Sequence, residues 1–212
     1  MPKAKWYFDF ISPFAYLQLA RFNELPQDLE IDLKPVLFAG LLKHWGHLGP
    51  AEIPSKRRFV YRFFRWHAER RGLPFIMPPS HPFNPLPALR LALAAGPDLP
   101  TVRAIFHHIY GEGNQPDAAD AISAMANQLG IEDVVAELSD PFIKEALRNN
   151  TNEALKAGVF GVPTFLVNGE LFWGDDATDM LLDYLKNPEL FNSGEMARLS
   201  SMPMGVRRRT RL

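Results

Sequence analysis

Trp6-Tyr7-Phe8-Asp9-Phe10-Ile11-Ser12-Pro13-Phe14-Ala15-Tyr16-Leu17 is the stretch whose reading decides the fold. Its first six residues are aromatic or β-branched apart from one Asp, which predicts a strand buried on both faces. Ser12-Pro13 is a helix-start signal, a hydroxyl at the N-cap followed by a ring whose fixed φ suits the first turn. Tyr16, Leu17, Leu19, Ala20 and Phe22 then repeat with helical period. A strand that stops at a helix N-terminus leaves unpaired N–H groups at a sheet edge, where an anion such as a thiolate is stabilised. Capping preference alone also accounts for Ser12-Pro13, so these residues by themselves leave both readings open.

Working outward, Leu25-Pro26-Gln27-Asp28 breaks the helical pattern and residues 29–37 alternate as a second strand. Strand, helix and strand of these lengths form a βαβ unit with a parallel pair. More than a hundred residues follow before the next strand signal, too many for a structureless loop. They read as helical. Pro54 to Arg71 places Phe59, Phe63, Phe64 and Trp66 on a broad apolar face with arginines opposite. Further helices are predicted over 86–95, 99–110, 118–129, 131–138 and 141–157, with Gly96, Gly111, Gly113 and Gly130 at the stops. The proline-dense Met77 to Pro85 cannot be regular structure. Residues 164–167 and 170–173 are strand-like around Asn168-Gly169, a strong hairpin signal. An amphipathic helix over 177–185 follows, with Asp175-Asp176 at its entrance.

Composition narrows the classes. The 212 residues are 47% hydrophobic and 22% charged with a net charge of −1, a globular chain with no electrostatic footprint for nucleic acid or an anionic membrane. Cysteine is absent, which excludes disulfides, thiolate metal sites and a C-x-x-C redox centre. His44 and His47 stand one turn apart without a third ligand of matching spacing, so no metal site is assigned. Lys3, Lys5 and Asp9 interrupt the first apolar run, so no signal peptide is read, no run is long enough to span a bilayer, and a cytoplasmic protein is expected.

The order βαβ, helical segment, ββα, with Val162-Pro163 directly before a strand and hairpin, resembles the thioredoxin superfamily. Residues 8–17, with Gly158-Val159-Phe160-Gly161-Val162-Pro163-Thr164-Phe165 and Phe172-Trp173-Gly174-Asp175-Asp176, resemble the 2-hydroxychromene-2-carboxylate isomerase family, itself related to kappa-class glutathione transferases. The fold expected is α/β, a thioredoxin-like βαβ…ββα sheet with a large all-helical insertion. Residues 1–38 and 158–195 would form the sheet domain, 39–157 the insertion, and 196–212 a loose basic tail.

The resemblance implies glutathione as cofactor, with Ser12 at its sulfur. It implies further contacts from Phe14, from Val162 and Pro163 through a cis peptide whose main chain faces the tripeptide, and from Trp173, Asp175 and Asp176. The Asp pair is equally readable as helix capping. An aromatic hydroxy-acid would be the substrate, with Lys43 as first choice for its carboxylate, and His47 and Asn84 beside it. Lys43 is also readable as a solvated surface residue. A homodimer is implied as well, and the reaction would be isomerisation, conjugation by a transferase, or simple thiol binding.

Overall fold

The computed structural model describes residues 2–206. Strand β1 (Lys3–Phe8) pairs in parallel with β2 (Glu30–Pro35) and antiparallel with β3 (Thr164–Val167). β3 in turn pairs antiparallel with β4 (Glu170–Trp173), so the sheet order is β2-β1-β3-β4. Asn168 (φ 50°) and Gly169 (φ 89°) both take the left-handed conformation that a tight two-residue hairpin requires.

Alternation along the strands divides the core. Ala4, Trp6, Phe8, Phe165, Val167 and Phe172 point to one face, where α1 (Pro13–Leu19) supplies Ala15 and Leu17 and α9 (Thr178–Lys186) supplies Leu181 and Tyr184. Tyr7 points to the other, against Leu41 of α2 (Phe38–Trp45) and Ala154 of α8 (Pro141–Lys156). The first face continues into the helices between β2 and β3. These are α3 (Pro54–Arg70), α4 (Leu86–Ala95), α5 (Leu99–Phe106), α6 (Ser123–Gln128) and α7 (Val134–Ser139). The fold is the expected α/β one, a mixed four-stranded sheet with a large helical segment between its second and third strands.

Several expectations need correction. β1 stops at Phe8 rather than Ile11, because Asp9 folds the chain away: its carboxylate accepts the Ile11 amide, and its carbonyl accepts the Ser12 amide at 3.0 Å. In α3 the buried line is Val60, Phe64 and Ala68, spaced by four, whereas Phe59 is 64% and Trp66 49% exposed. Arg70, four residues on and on the same side of the helix as Trp66, sits over its ring at 5.1 Å. The helix predicted to run to Tyr110 changes after Phe106 into a π-helical turn, His107–Gly111. The helices expected over 118–129 and 131–138 shrink to α6 and α7. Part of the supposed loose tail is helix α10 (Gly194–Ser200). The basic run Arg207-Arg208-Arg209-Thr210-Arg211 lies outside the described residues. Among the described residues no helix is long and apolar enough to cross a membrane.

One fully buried polar side chain joins the two parts of the sheet domain. Gln18 accepts the Trp6 indole N–H at 2.7 Å, and its amide donates to the Gly174 carbonyl at 2.8 Å and the Thr178 hydroxyl at 3.2 Å. Replacing it with an apolar residue orphans a buried donor and a buried acceptor, each costing about 1–3 kcal/mol. Gln18→Leu is therefore expected to lower stability by about 2–4 kcal/mol in urea denaturation with an unchanged m value. A loss below about 1 kcal/mol would contradict these bonds.

Candidate functional site

The turn between β1 and α1 carries Ser12. Its backbone is extended (φ −98°, ψ 107°), as an N-cap requires, and Pro13 opens the helix. The hydroxyl is buried yet poorly engaged. It lies 3.4 Å from the Ala15 amide and 3.4 Å from the Val162 carbonyl, both longer than a good hydroxyl bond. Ser12 and Val162, 150 residues apart, thus meet at one spot.

Val162-Pro163 is a cis peptide. Among the described residues nothing accepts the Val162 amide hydrogen. The Pro163 carbonyl accepts the Gly174 amide at 2.9 Å, which draws the Trp173-Gly174-Asp175-Asp176 turn beside the proline. Trp173, 53% exposed, packs edge-on to Phe160 and lies flat enough over Gly161 that a Cβ there would meet its indole nitrogen at 2.5 Å. Phe14 turns from the opposite side onto Phe63 and Phe64 of α3, at 6.1 and 4.6 Å between ring centres.

The two aspartates have different positions. Asp175 is buried, and Arg71 takes both its carboxylate oxygens, at 2.9 and 2.7 Å, while also reaching the Leu17 carbonyl. This bidentate pair anchors the Asp175 carboxylate to the chain at the end of α3. The Asp175 side chain thereby ties α1, the end of α3 and the turn before α9 together. Asp176, its neighbour, is exposed.

Of the substrate candidates, Lys43 and His47 are exposed at the end of α2, without side-chain partners among the described residues. The same helix end is tied to the loop before Val162 by the Trp45 indole, which donates to the Val159 carbonyl at 2.9 Å. Asn84 is not brought to this region by any bond. Its carbonyl oxygen accepts the Leu86 amide and so starts α4, the ordinary use of Asn before a helix.

Sequence reasoning missed the polar side chains beneath the turn. Asp9 is fully buried, with Oδ1 accepting the Ile11 amide at 3.0 Å and Oδ2 the Phe38 amide at 2.8 Å. Burial pushes its carboxyl up to about 7 despite the two N–H bonds, which favour the anion. Tyr110 and His81, from the helical segment, also reach this turn. His67, packed on Phe63 at 4.3 Å, is held below its usual pKa by partial burial and then by Arg71.

A first helix that opens on Ser-Pro, facing a cis X-Pro turn at the end of a thioredoxin-like sheet, defines a class. A family model described as a DSBA-like thioredoxin domain matches residues 4–186, and the chain belongs to that family. Within it the chain is similar to the 2-hydroxychromene-2-carboxylate isomerase of Pseudomonas putida, 30% identical over 184 residues that cover 83% of this chain and 90% of that protein. It is also similar to glutathione S-transferase kappa 2 of Caenorhabditis elegans, 25% identical over 207 residues, 87% of this chain and 92% of that one. The solved structure of a 2-hydroxychromene-2-carboxylate isomerase superposes with a TM-score of 0.75 at 24% identity, covering 94% and 98% of the two chains. Similarity to both groups supports an enzyme of isomerase or transferase type.

The raised Asp9 pKa has a signed consequence. Between the unfolded value near 4 and about 7 the native state binds the extra proton, so the Asp9 contribution falls as pH rises through that window. The stability of the wild type minus that of Asp9→Asn is therefore expected to decline from pH 5 to pH 7, at up to about 1.4 kcal/mol per pH unit. Paired urea titrations at each pH measure it, and a difference that is flat or rises would contradict the assignment.

Proposed function

We propose that the chain is a glutathione-dependent isomerase acting on 2-hydroxychromene-2-carboxylate-type acids. The observation that carries this reading is the under-engaged Ser12 hydroxyl facing Val162, whose main-chain amide has no acceptor among the described residues. The residues fit the tripeptide. The Val162 amide is free to pair with an extended backbone. The exposed Asp176 carboxylate suits the γ-glutamyl ammonium. Bound glutathione would supply a nucleophilic thiolate that is regenerated rather than consumed, the chemistry that a cis–trans isomerisation through a transient single bond needs.

Ser12 has the task of favouring the anion. A free thiol has a pKa of about 8.5, and lowering it by about two units requires roughly 2.7 kcal/mol. A helix N-terminus gives about 0.3–1 kcal/mol, and α1 has only seven residues to supply it. A hydroxyl donating to a charged acceptor adds about 1.5–3 kcal/mol, enough to close the gap. Lys43, exposed at the end of α2 and without a side-chain partner among the described residues, is the cation we assign to the substrate carboxylate.

Conjugation, as in the kappa-class relative, is the second reading, and thiol balance separates the two. With 2-hydroxychromene-2-carboxylate and glutathione, the isomerase converts the acid while total free thiol stays constant, whereas a transferase consumes one thiol per turnover. Ser12→Ala is expected to lower turnover by roughly ten- to more than a hundredfold while glutathione affinity changes less. The bound thiol should titrate at higher pH in that variant, followed by thiolate absorbance. Unaltered turnover and titration would reduce Ser12 to a helix cap.

A further inference from the structure

Ser12 is preceded by two peptide groups that leave the sheet inside the protein, and side chains from the helical segment take both their carbonyls. The Tyr110 hydroxyl donates to the Phe10 carbonyl at 2.9 Å. The His81 ring reaches the Ile11 carbonyl, with Nε2 at 2.7 Å. A carbonyl oxygen can only accept, so Nε2 carries the hydrogen. Burial holds the ring below its ordinary pKa and therefore neutral, which leaves Nδ1 an acceptor. Behind the ring stands Tyr61, its hydroxyl 2.8 Å from Nδ1 and 2.6 Å from the His81 carbonyl. Tyr61 and Phe83 both pack edge-on to the imidazole, at 5.3 and 5.6 Å between ring centres. The Ile11 carbonyl sets the tautomer, while Tyr61, whose single hydroxyl hydrogen goes to the His81 carbonyl, and Phe83 hold the orientation of the ring.

The importance of this contact follows from the looseness of Ser12 itself. Both bonds of its hydroxyl are 3.4 Å long, so the direction of that hydroxyl is set by the backbone that carries it. That backbone is held at the Ile11 amide by Asp9, at the Ser12 amide by the Asp9 carbonyl, and at the Ile11 carbonyl by His81. We propose that His81, oriented by Tyr61, is a positioning residue for Ser12: it clamps the peptide plane that enters the serine and so aims the hydroxyl at the bound sulfur. The proposal rests on the reading of Ser12 as the residue at the glutathione thiol. A histidine that merely fills space would need neither a donor aimed at the residue before Ser12 nor an orienting hydroxyl behind it.

Three variants test it, with a readout taken without ligand. His81→Leu removes the donor, His81→Gln places an amide N–H near the position of Nε2, and Tyr61→Phe removes the orienting hydroxyl. In His81→Leu, amide hydrogen exchange at Ser12 is expected to quicken, the bound glutathione thiol to titrate at higher pH, and kcat for isomerisation to fall by about ten- to a hundredfold with little change in KM for glutathione. His81→Gln is expected to recover most of that loss, and Tyr61→Phe to fall between the two. Should His81→Leu not fold, Tyr61→Phe decides by the same three measurements. Wild-type exchange at Ser12 together with wild-type thiol titration in His81→Leu would overturn the proposal, as would equal impairment in the Leu and Gln variants. Quickened exchange in His81→Leu, combined with no thiolate in the wild-type complex, would overturn the glutathione reading and this role with it.

Discussion

A strand that ends in the middle of a protein leaves peptide groups that still need partners, and in this chain that requirement falls just before Ser12. Phe8 is the last residue in the ladder, and its carbonyl is met by the Val36 amide. Beyond it, Asp9, Phe10 and Ile11 turn through a region where an unmatched N–H or C=O costs about 1–3 kcal/mol. No neighbouring strand continues far enough to pair with them. The protein satisfies them with side chains instead: a carboxylate from the turn itself, and a phenol and an imidazole from the helical segment. The turn that carries Ser12 is held by that arrangement.

The same economy governs the other side of the site. Two acidic residues stand side by side before α9, and the fold gives them opposite tasks. Asp175 is drawn inward by a guanidinium from the end of α3, with Arg21 adding a longer bond to its carbonyl. Asp176 is left facing water, on a turn whose backbone is fixed because its neighbour is committed. Gln18 braces this turn from beneath through Gly174. The backbone under the Asp176 carboxylate is held by bonds that Asp175 and Gln18 make, not by Asp176 itself.

Local chemistry made some of this legible from the sequence. Asn168-Gly169 marks the hairpin because both positions need positive φ, and α4 runs over the predicted 86–95 because proline opens it and Gly96 closes it. The juxtaposition of Ser12 with Val162 came from motif resemblance, since nothing in the spacing of residues 150 apart implies contact. Other features were hidden for physical reasons. In α3 the aromatic residues drew the predicted buried face toward Phe59 and Trp66, yet Val60, Phe64 and Ala68 are the residues buried, and bulk alone does not decide which stripe turns inward. Arg71 looked like one more solvated arginine, because its partner lies 104 residues away. His81 sits in a proline-rich stretch with no periodicity, where sequence gives no direction for a side chain at all.

The clamps on the turn also bear on how such a protein can be divided or recombined. Seen as topology, the helices between β2 and β3 resemble a cassette dropped into a small sheet, with both ends of the cassette at the same end of the strands. Seen as bonds, Tyr61, His81 and Tyr110 make the cassette part of the turn that it covers. A graft that exchanged these helices for a cap of another shape would keep the sheet together with Ser12, Val162 and Asp176, yet leave two buried carbonyls without donors one and two residues before Ser12. The unit that must be inherited together is therefore discontinuous in sequence, and it crosses the boundary at which the fold looks easiest to cut.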